Sequence, residues 1–141
     1  MDNMTAKVSC FARAYHYKNN SIRIFTDDIA EKLLGEDYNQ IAKSMSDRID
    51  FFCPRFEGTR EKGLRAIVDK QLSPSVLGRS VFCEDKLKDN VTNGCRQYVV
   101  FAASYDTFSL RNRDKSLIVF ELDYPQMIED KMERISKALL T

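Results

Sequence analysis

Histidine is nearly missing from the chain, one residue in 141, and the four cysteines, Cys10, Cys53, Cys83 and Cys95, are scattered without a Cys-x-x-Cys pair. Together these shortages leave no donor set of the kind a zinc site uses, so no metal is expected and the thiols should be reduced and mostly buried. The lone His16 sits in "AYHY" with no serine or cysteine in a triad-like context. That argues against a hydrolase and for a packing or hydrogen-bonding histidine. Charge of one sign is not in excess either: 22 Lys and Arg stand against 21 Asp and Glu, a net +1, with no basic block. Nucleic acid is therefore not an expected partner. No apolar run approaches the length of a bilayer, and "MDNMTAKVSC" lacks the basic-then-apolar order of a signal peptide. These absences lead to the expectation of a cytoplasmic protein that does not use a membrane. Repeats, low-complexity segments and Gly/Ser linkers are missing as well.

What is present is enough hydrophobic sequence, 43% of 141 residues, for one domain of ordinary size with a real core. The first half reads as helices. "TAKVSCFARAYHYK" is a weakly patterned one, and "FTDDIAEKLLG" is a clearer one, with Thr26 as cap, Asp27 and Asp28 at the positive end of the dipole, Ile29 and Leu33 on one face and Gly35 as stop. Another helix is expected around "YNQIAKSM", and "RIDFFCPRFEGT" reads as a packed loop. "REKGLRAIVDKQL" puts Leu64, Ile67, Val68 and Leu72 on one face, with Ser73 and Pro74 ending the helix.

From Ser73 the character changes, so residues 1–72 are read as a helical cap or lid and residues 73–141 as a sheet region. "LGRSVFCEDKLKDNVTNG" offers a helix with Leu87 and Val91 inward and Gly94 as stop, and the apolar run "RQYVVFAAS" follows as a buried parallel strand. "SLIVFELD" repeats that signature and ends in Glu121 and Asp123. Pro125 then opens a helix with Met127, Ile128, Lys131, Ile135 and Leu139 at helical spacing. The order makes an α/β fold. In open α/β sheets ligands bind beyond the carboxyl ends of the strands; small residues after one strand admit a ligand to the backbone, and an acid ending the next can accept both ribose hydroxyls. "AAS" followed by "FELD" has that arrangement, although small residues also merely relieve crowding and strand-end acids also cap helices.

Taken jointly, "TAKVSCFARAY", "FTDDIAEKLLG", "LGRSVF", "GCRQYVVFAASYDTFSLR" and "IVFELDYPQMIEDK" resemble the leucine carboxyl methyltransferase family, in particular its bacterial branch of tetracenomycin-type O-methyltransferases. The family's Gly-Ala-Gly, hydrophobic, Asp-Thr block is met here by Ala102, Ala103, Ser104, Tyr105, Asp106 and Thr107; its Glu, hydrophobic, Asp, any, Pro and later Lys block is met by Glu121, Leu122, Asp123, Tyr124, Pro125 and Lys131. The resemblance implies S-adenosylmethionine as cofactor, on a helical amino-terminal cap followed by the first part of a Rossmann-like class I methyltransferase sheet, incomplete in this chain. It also implies that Arg79 pairs with the carboxylate of the methionine moiety, that Ala102 and Ser104 let the donor lie against the loop, and that Asp123 holds the ribose, with Glu121 as competing candidate. Arg13 lies in the block that closes over the donor in the family. No catalytic residue is singled out; the acceptor would be a carboxylate or hydroxyl oxygen on a small molecule or a protein carboxyl terminus.

Two departures stand beside this. Ala102 and Ser104 replace glycines, which is unfavourable if either position needs a positive φ. The chain also stops at Thr141, where family members continue with later strands and most of the acceptor site. Plainer roles are expected for several residues: Asp106 anchors a turn, Lys131 is solvated, Phe51, Phe52 and Phe56 pack in core or lid, and Arg79 has a surface ion pair as its alternative. A truncated, non-enzymatic α/β relative that self-associates as a homodimer, or a fragment of a longer protein, are the rival readings.

Overall fold

The structure is a computed structural model and describes residues 3–140. The first helix, α1 (Met4–Asn19), begins where the Asn3 side chain accepts a hydrogen bond from the Ala6 amide at 3.1 Å, and it buries Cys10, Phe11, Ala12 and Ala14 completely. After an irregular stretch come α2 (Ala30–Leu34), α3 (Asp37–Asp47) and the single turn α4 (Ile49–Phe52). The cap of α2 is not Thr26. Asp27 serves instead, its Oδ1 accepting from the amides of Ile29 and Ala30 at 3.3 and 3.0 Å, and Gly35, at φ +57°, terminates the helix as expected. The expected loop at "RIDFFCPRFEGT" is irregular only after α4: Phe52 packs on the core and Phe51 is exposed.

Helix α5 (Arg60–Ile67) does not end at Ser73 and Pro74. It runs through a π-helical turn (Val68–Leu72) directly into α6 (Ser73–Thr92). Pro74 falls in the first turn of α6, where a missing N–H is no loss, and the wider π turn absorbs the change of register. Leu87 is buried on α6, Val91 only partly, and Gly94 follows the helix at φ +100°.

The remainder is β1 (Gln97–Phe101), the short α7 (Phe108–Arg111), β2 (Ile118–Leu122) and α8 (Pro125–Lys137). β1 and β2 pair in parallel, with Gln97 opposite Ile118 and Phe101 opposite Leu122. The parallel expectation holds, but full burial does not: both strands alternate between exposed and half-buried residues, because only one face of the pair is covered. The fold is thus mixed α/β, mostly helical, with a small two-stranded parallel sheet. Leu139, expected on the inner face of α8, lies beyond its end at φ +53° and is exposed. Among the described residues no helix is long and apolar enough to cross a membrane.

One core unites the chain. Phe11, Leu33, Leu34, Ile67 and Val68 pack with Tyr105 from the loop after β1 and Met127 from α8. Of the four free thiols only Cys10 is buried, and burial pushes it up to about 12; Cys53 and Cys95 are half-buried and Cys83 is exposed, so most of the thiols are less covered than expected. Phe11 also stacks obliquely on Tyr38, ring centroids 4.9 Å apart. Phe11→Ala should therefore lower the unfolding free energy by about 3–5 kcal/mol, whereas Ile22→Ala at an exposed position should change it by less than about 0.5 kcal/mol, as read from urea midpoints. Equal midpoints for the two would place the centre of the core elsewhere.

Candidate functional site

Since Phe101 and Leu122 are the last paired residues of the strands, Ala102 and Asp123 emerge side by side. The Ala103 amide extends the ladder once more by donating to the Leu122 carbonyl at 3.2 Å. The backbone then turns through the left-handed region twice, at Ala102 (φ +52°) and Ser104 (φ +42°), a conformation that disfavours a residue with a Cβ by about 1–2 kcal/mol. Asp123 holds the turn in place. Its Oδ2 accepts from the Ser104 amide at 2.8 Å and the Ser104 hydroxyl at 3.1 Å, and its Oδ1 accepts from the Tyr124 amide at 2.7 Å. Desolvation works against the carboxylate, yet these hydrogen bonds prevail and hold its carboxyl below the ordinary range.

The far side of the loop is anchored as firmly. Asp106 Oδ1 accepts from the Phe108 amide at 2.8 Å, the turn-anchoring role expected of it. Lys131 is not solvated: its side chain is buried, and its Nζ donates to the Asp106 carbonyl at 2.6 Å and to Glu121 Oε2 at 2.5 Å. An ammonium group leaves water only where such acceptors replace it, and Glu121, also bonded by Ser109 Oγ at 2.6 Å, supplies the charge.

Beneath the loop lies a carboxylate that sequence reasoning treated as a dipole residue. Asp27 is fully buried; Arg13 Nε donates to its Oδ2 at 2.9 Å and Thr107 Oγ1 to the same oxygen at 2.7 Å. Arg13 also donates to the Tyr105 carbonyl at 2.6 Å, so α1 grips the loop backbone directly. Arg111 Nε donates to Thr107 Oγ1 at 2.9 Å, while its terminal nitrogens pair with Glu84 on α6. A second network continues to the helices: the Tyr105 hydroxyl donates to Asp130 Oδ2 at 2.6 Å, and Arg134 bonds Asp130 at 2.8 Å, Asp37 at 2.7 Å and the Leu34 carbonyl at 3.1 Å.

The leucine carboxyl methyltransferase family matches residues 6–141, nearly the whole chain. The chain belongs to this family. It is also 37% identical over 146 aligned residues to the proposed S-adenosyl-L-methionine-dependent methyltransferase YktD of Bacillus subtilis (strain 168). That match takes in 99% of this chain and 48% of YktD, so the chain spans about half the length of the curated relative it matches.

Of the six residues that the family resemblance singled out, Ala102, Ser104 and Asp123 lie together at the strand ends. Glu121 lies on β2 two residues before Asp123 and is engaged by Lys131 and Ser109; Arg13 is turned to Asp27 and Tyr105. Arg79 is exposed on α6, where its Nε donates to the Ser75 carbonyl at 3.3 Å, and it joins no ion pair among the described residues. His16 is buried and accepts from the Ile24 amide through Nε2 at 3.1 Å, and burial lowers its pKa, as suits a neutral hydrogen-bonding ring. What was missed are the long-range ties of Asp27, Thr107, Arg111 and Arg134, which join residues as far as 80 to 100 positions apart and so leave no signal in the local sequence.

Two measurements test the networks. Asp27→Ala leaves Arg13 buried without its carboxylate and should destabilise the chain by about 3–5 kcal/mol in urea unfolding; a loss under about 1 kcal/mol would mean the cluster is not a structural tie. The second concerns acid. Against the opposing effect of desolvation, the side chains of Lys7 and Arg134 hold the Asp37 carboxyl below its ordinary range, and those of Tyr105 and Arg134 do the same for Asp130. Both carboxyls thus bind protons more weakly when folded. Their contribution to stability is complete above the unfolded value of about 4 and is lost as pH falls through the folded values. Asp37→Asn should flatten that acid limb and leave the pH dependence above about pH 5 unchanged; an unaltered acid limb would exclude Asp37 as a source.

Proposed function

We propose that this chain forms the donor-binding part of an S-adenosylmethionine-dependent O-methyltransferase, acting in the cytoplasm on a carboxylate or hydroxyl oxygen of a small molecule or a protein carboxyl terminus. In this reading β1 and β2 are the first strands of a Rossmann-like class I sheet, residues 1–72 act as a cap, and residues 73–141 carry the site. The observation that supports it is the loop after β1. Ala102 and Ser104 adopt the backbone that glycine favours at the two positions where the family has glycine, beside the acidic residue that follows the next strand.

The residues fit such a donor. Ala102 is exposed, which leaves the loop crest open, and Asp123 is a carboxylate kept ionised at the strand end. Asp123 would accept the ribose hydroxyls, and Glu121, engaged by Lys131, remains the competing residue. Arg79 would offer its planar fork to the methionine carboxylate. Arg13 would act from below, through the Tyr105 carbonyl, by fixing the loop against α1. When bound, S-adenosylmethionine supplies an already activated methyl group, so orientation and removal of the acceptor's proton are what the protein must add. The single poor feature is Ser104, whose hydroxyl occupies Asp123 Oδ2, an oxygen that a ribose hydroxyl would use.

Calorimetric titration with S-adenosylhomocysteine tests this reading. Ser104→Gly should bind more tightly by about tenfold or more, since the hydroxyl's bond to the ionised Asp123, worth about 1.5–3 kcal/mol, no longer competes with the ribose; Asp123→Ala should lose saturable binding while keeping its circular dichroism. No saturable heat from either the parent chain or Ser104→Gly, both folded, would remove donor binding from this chain.

A further inference from the structure

Residues 20–29 join α1 to α2 without helix or strand, and their first half has little to hold it by apolar contact. Ile22 and Ile24 are 84% and 64% exposed, and the first buried side chain is Phe25. Polar ties fasten this stretch instead. Arg65 on α5 donates to Asn20 Oδ1 and to the Asn19 carbonyl, each at 2.8 Å. Arg23 donates through Nε to the Tyr17 carbonyl at 2.8 Å and lies 4.4 Å from the centroid of the Tyr17 ring. The third tie is the bond from the Ile24 amide to His16 Nε2 at 3.1 Å. Beyond it the chain has separate anchors: Phe25 lies under the Arg111 guanidinium, 5.1 Å from its ring centroid, and Asp27 is held by Arg13 and Thr107.

Only one of the three ties can be switched near neutral pH. Guanidinium groups stay charged throughout, whereas an imidazole changes from acceptor to donor when it gains a proton. A neutral ring that accepts at Nε2 carries its hydrogen on Nδ1; a second proton takes the Nε2 lone pair and sets an N–H against the Ile24 N–H. His16 is buried, so little water is at hand to replace the lost partner. Burial disfavours the imidazolium most; Asp69 on the π turn favours it, and Arg23 on the segment itself and Arg65 on α5 oppose it, with a lowered pKa as the outcome.

We propose that residues 20–24 are a strap that neutral His16 fastens to the end of α1 and that a proton on His16 releases, with Phe25 and Asp27 staying in place. The inference does not depend on the donor-binding reading. The released ring binds its proton more tightly than the fastened one. The fastening is therefore complete above the ordinary imidazole value of about 6.5 and is lost as pH falls from there through the folded value. The Asp37 and Asp130 carboxyls act near and below about pH 4, which separates the two windows.

Amide hydrogen exchange read by NMR at about pH 7.5 and about pH 5, corrected for the intrinsic rate at each, tests the strap. His16 is the chain's single histidine, so its ring resonances report its titration directly. Protection of the Ile24 amide should fall by more than about threefold between the two conditions, with a ceiling of about 30-fold set by the ordinary imidazole value. The Ala30 amide, held by Asp27 Oδ1, should keep its protection. His16→Gln cannot titrate and should abolish the difference, whether or not its oxygen reproduces the bond. A ring titration at or above about 6.5, an Ile24 loss under about threefold, an acid loss that persists in His16→Gln, or an Ala30 amide that loosens in step with Ile24 would each overturn the proposal.

Discussion

A buried carboxylate must find a partner for each oxygen, and the search by Asp27 for those partners organises this molecule. Its two oxygens gather the amides that start α2, the guanidinium of Arg13 on α1 and the hydroxyl of Thr107 beyond β1. None of these groups is near the others in sequence, so satisfying Asp27 brings the helical region and the strand-end loop into one arrangement. An apolar contact tolerates sliding; a desolvated ion pair with directed hydrogen bonds does not. The grip of Arg13 on the Tyr105 carbonyl passes that fixed geometry to the loop itself.

The loop needs such support because it is locally unfavourable. Alanine and serine hold left-handed backbone at positions 102 and 104, and the opposing stabilisation comes from the three hydrogen bonds to Asp123 and from the burial of Tyr105. Tyr105 is at once a core residue against α1 and α2 and, through its hydroxyl, a member of the Asp130–Arg134 network. Burial and the bond to Asp130 hold its phenol protonated far above neutrality, which keeps it a donor.

Sequence periodicity revealed α1, α3 and α8, the parallel strands and the strand-end placement of Ala102, Ser104 and Asp123, because each depends on near neighbours. It misplaced what depends on distant ones. Pro74 has the local chemistry of a helix stop and of a helix first turn alike, and only the packing of α6 against α1 selects the second. Lys131 has the spacing of an inward residue but the chemistry of an outward one; its burial was decided by Glu121 and the Asp106 carbonyl, which arrive from another strand and loop. The alternation in β1 was hidden because both of its faces are apolar, so nothing in "YVVF" distinguishes the covered side from the open one.

Order in this molecule therefore runs from the helices to the sheet rather than the reverse. The fully buried side chains belong mainly to α1, α2 and the α5–π junction, and neither strand contributes a residue to the main core. A two-stranded parallel pair is marginal by itself. What holds it is the set of ties at its carboxyl end, Asp27 through Thr107, Lys131 through Glu121 and Arg134 through Asp130, all of which converge on residues 104–108 and α8. The carboxyl ends of the strands are consequently the best-determined part of the sheet. In an α/β protein that is where a ligand must meet the backbone, and the polar ties at that end fix its geometry although only one face of the sheet is covered.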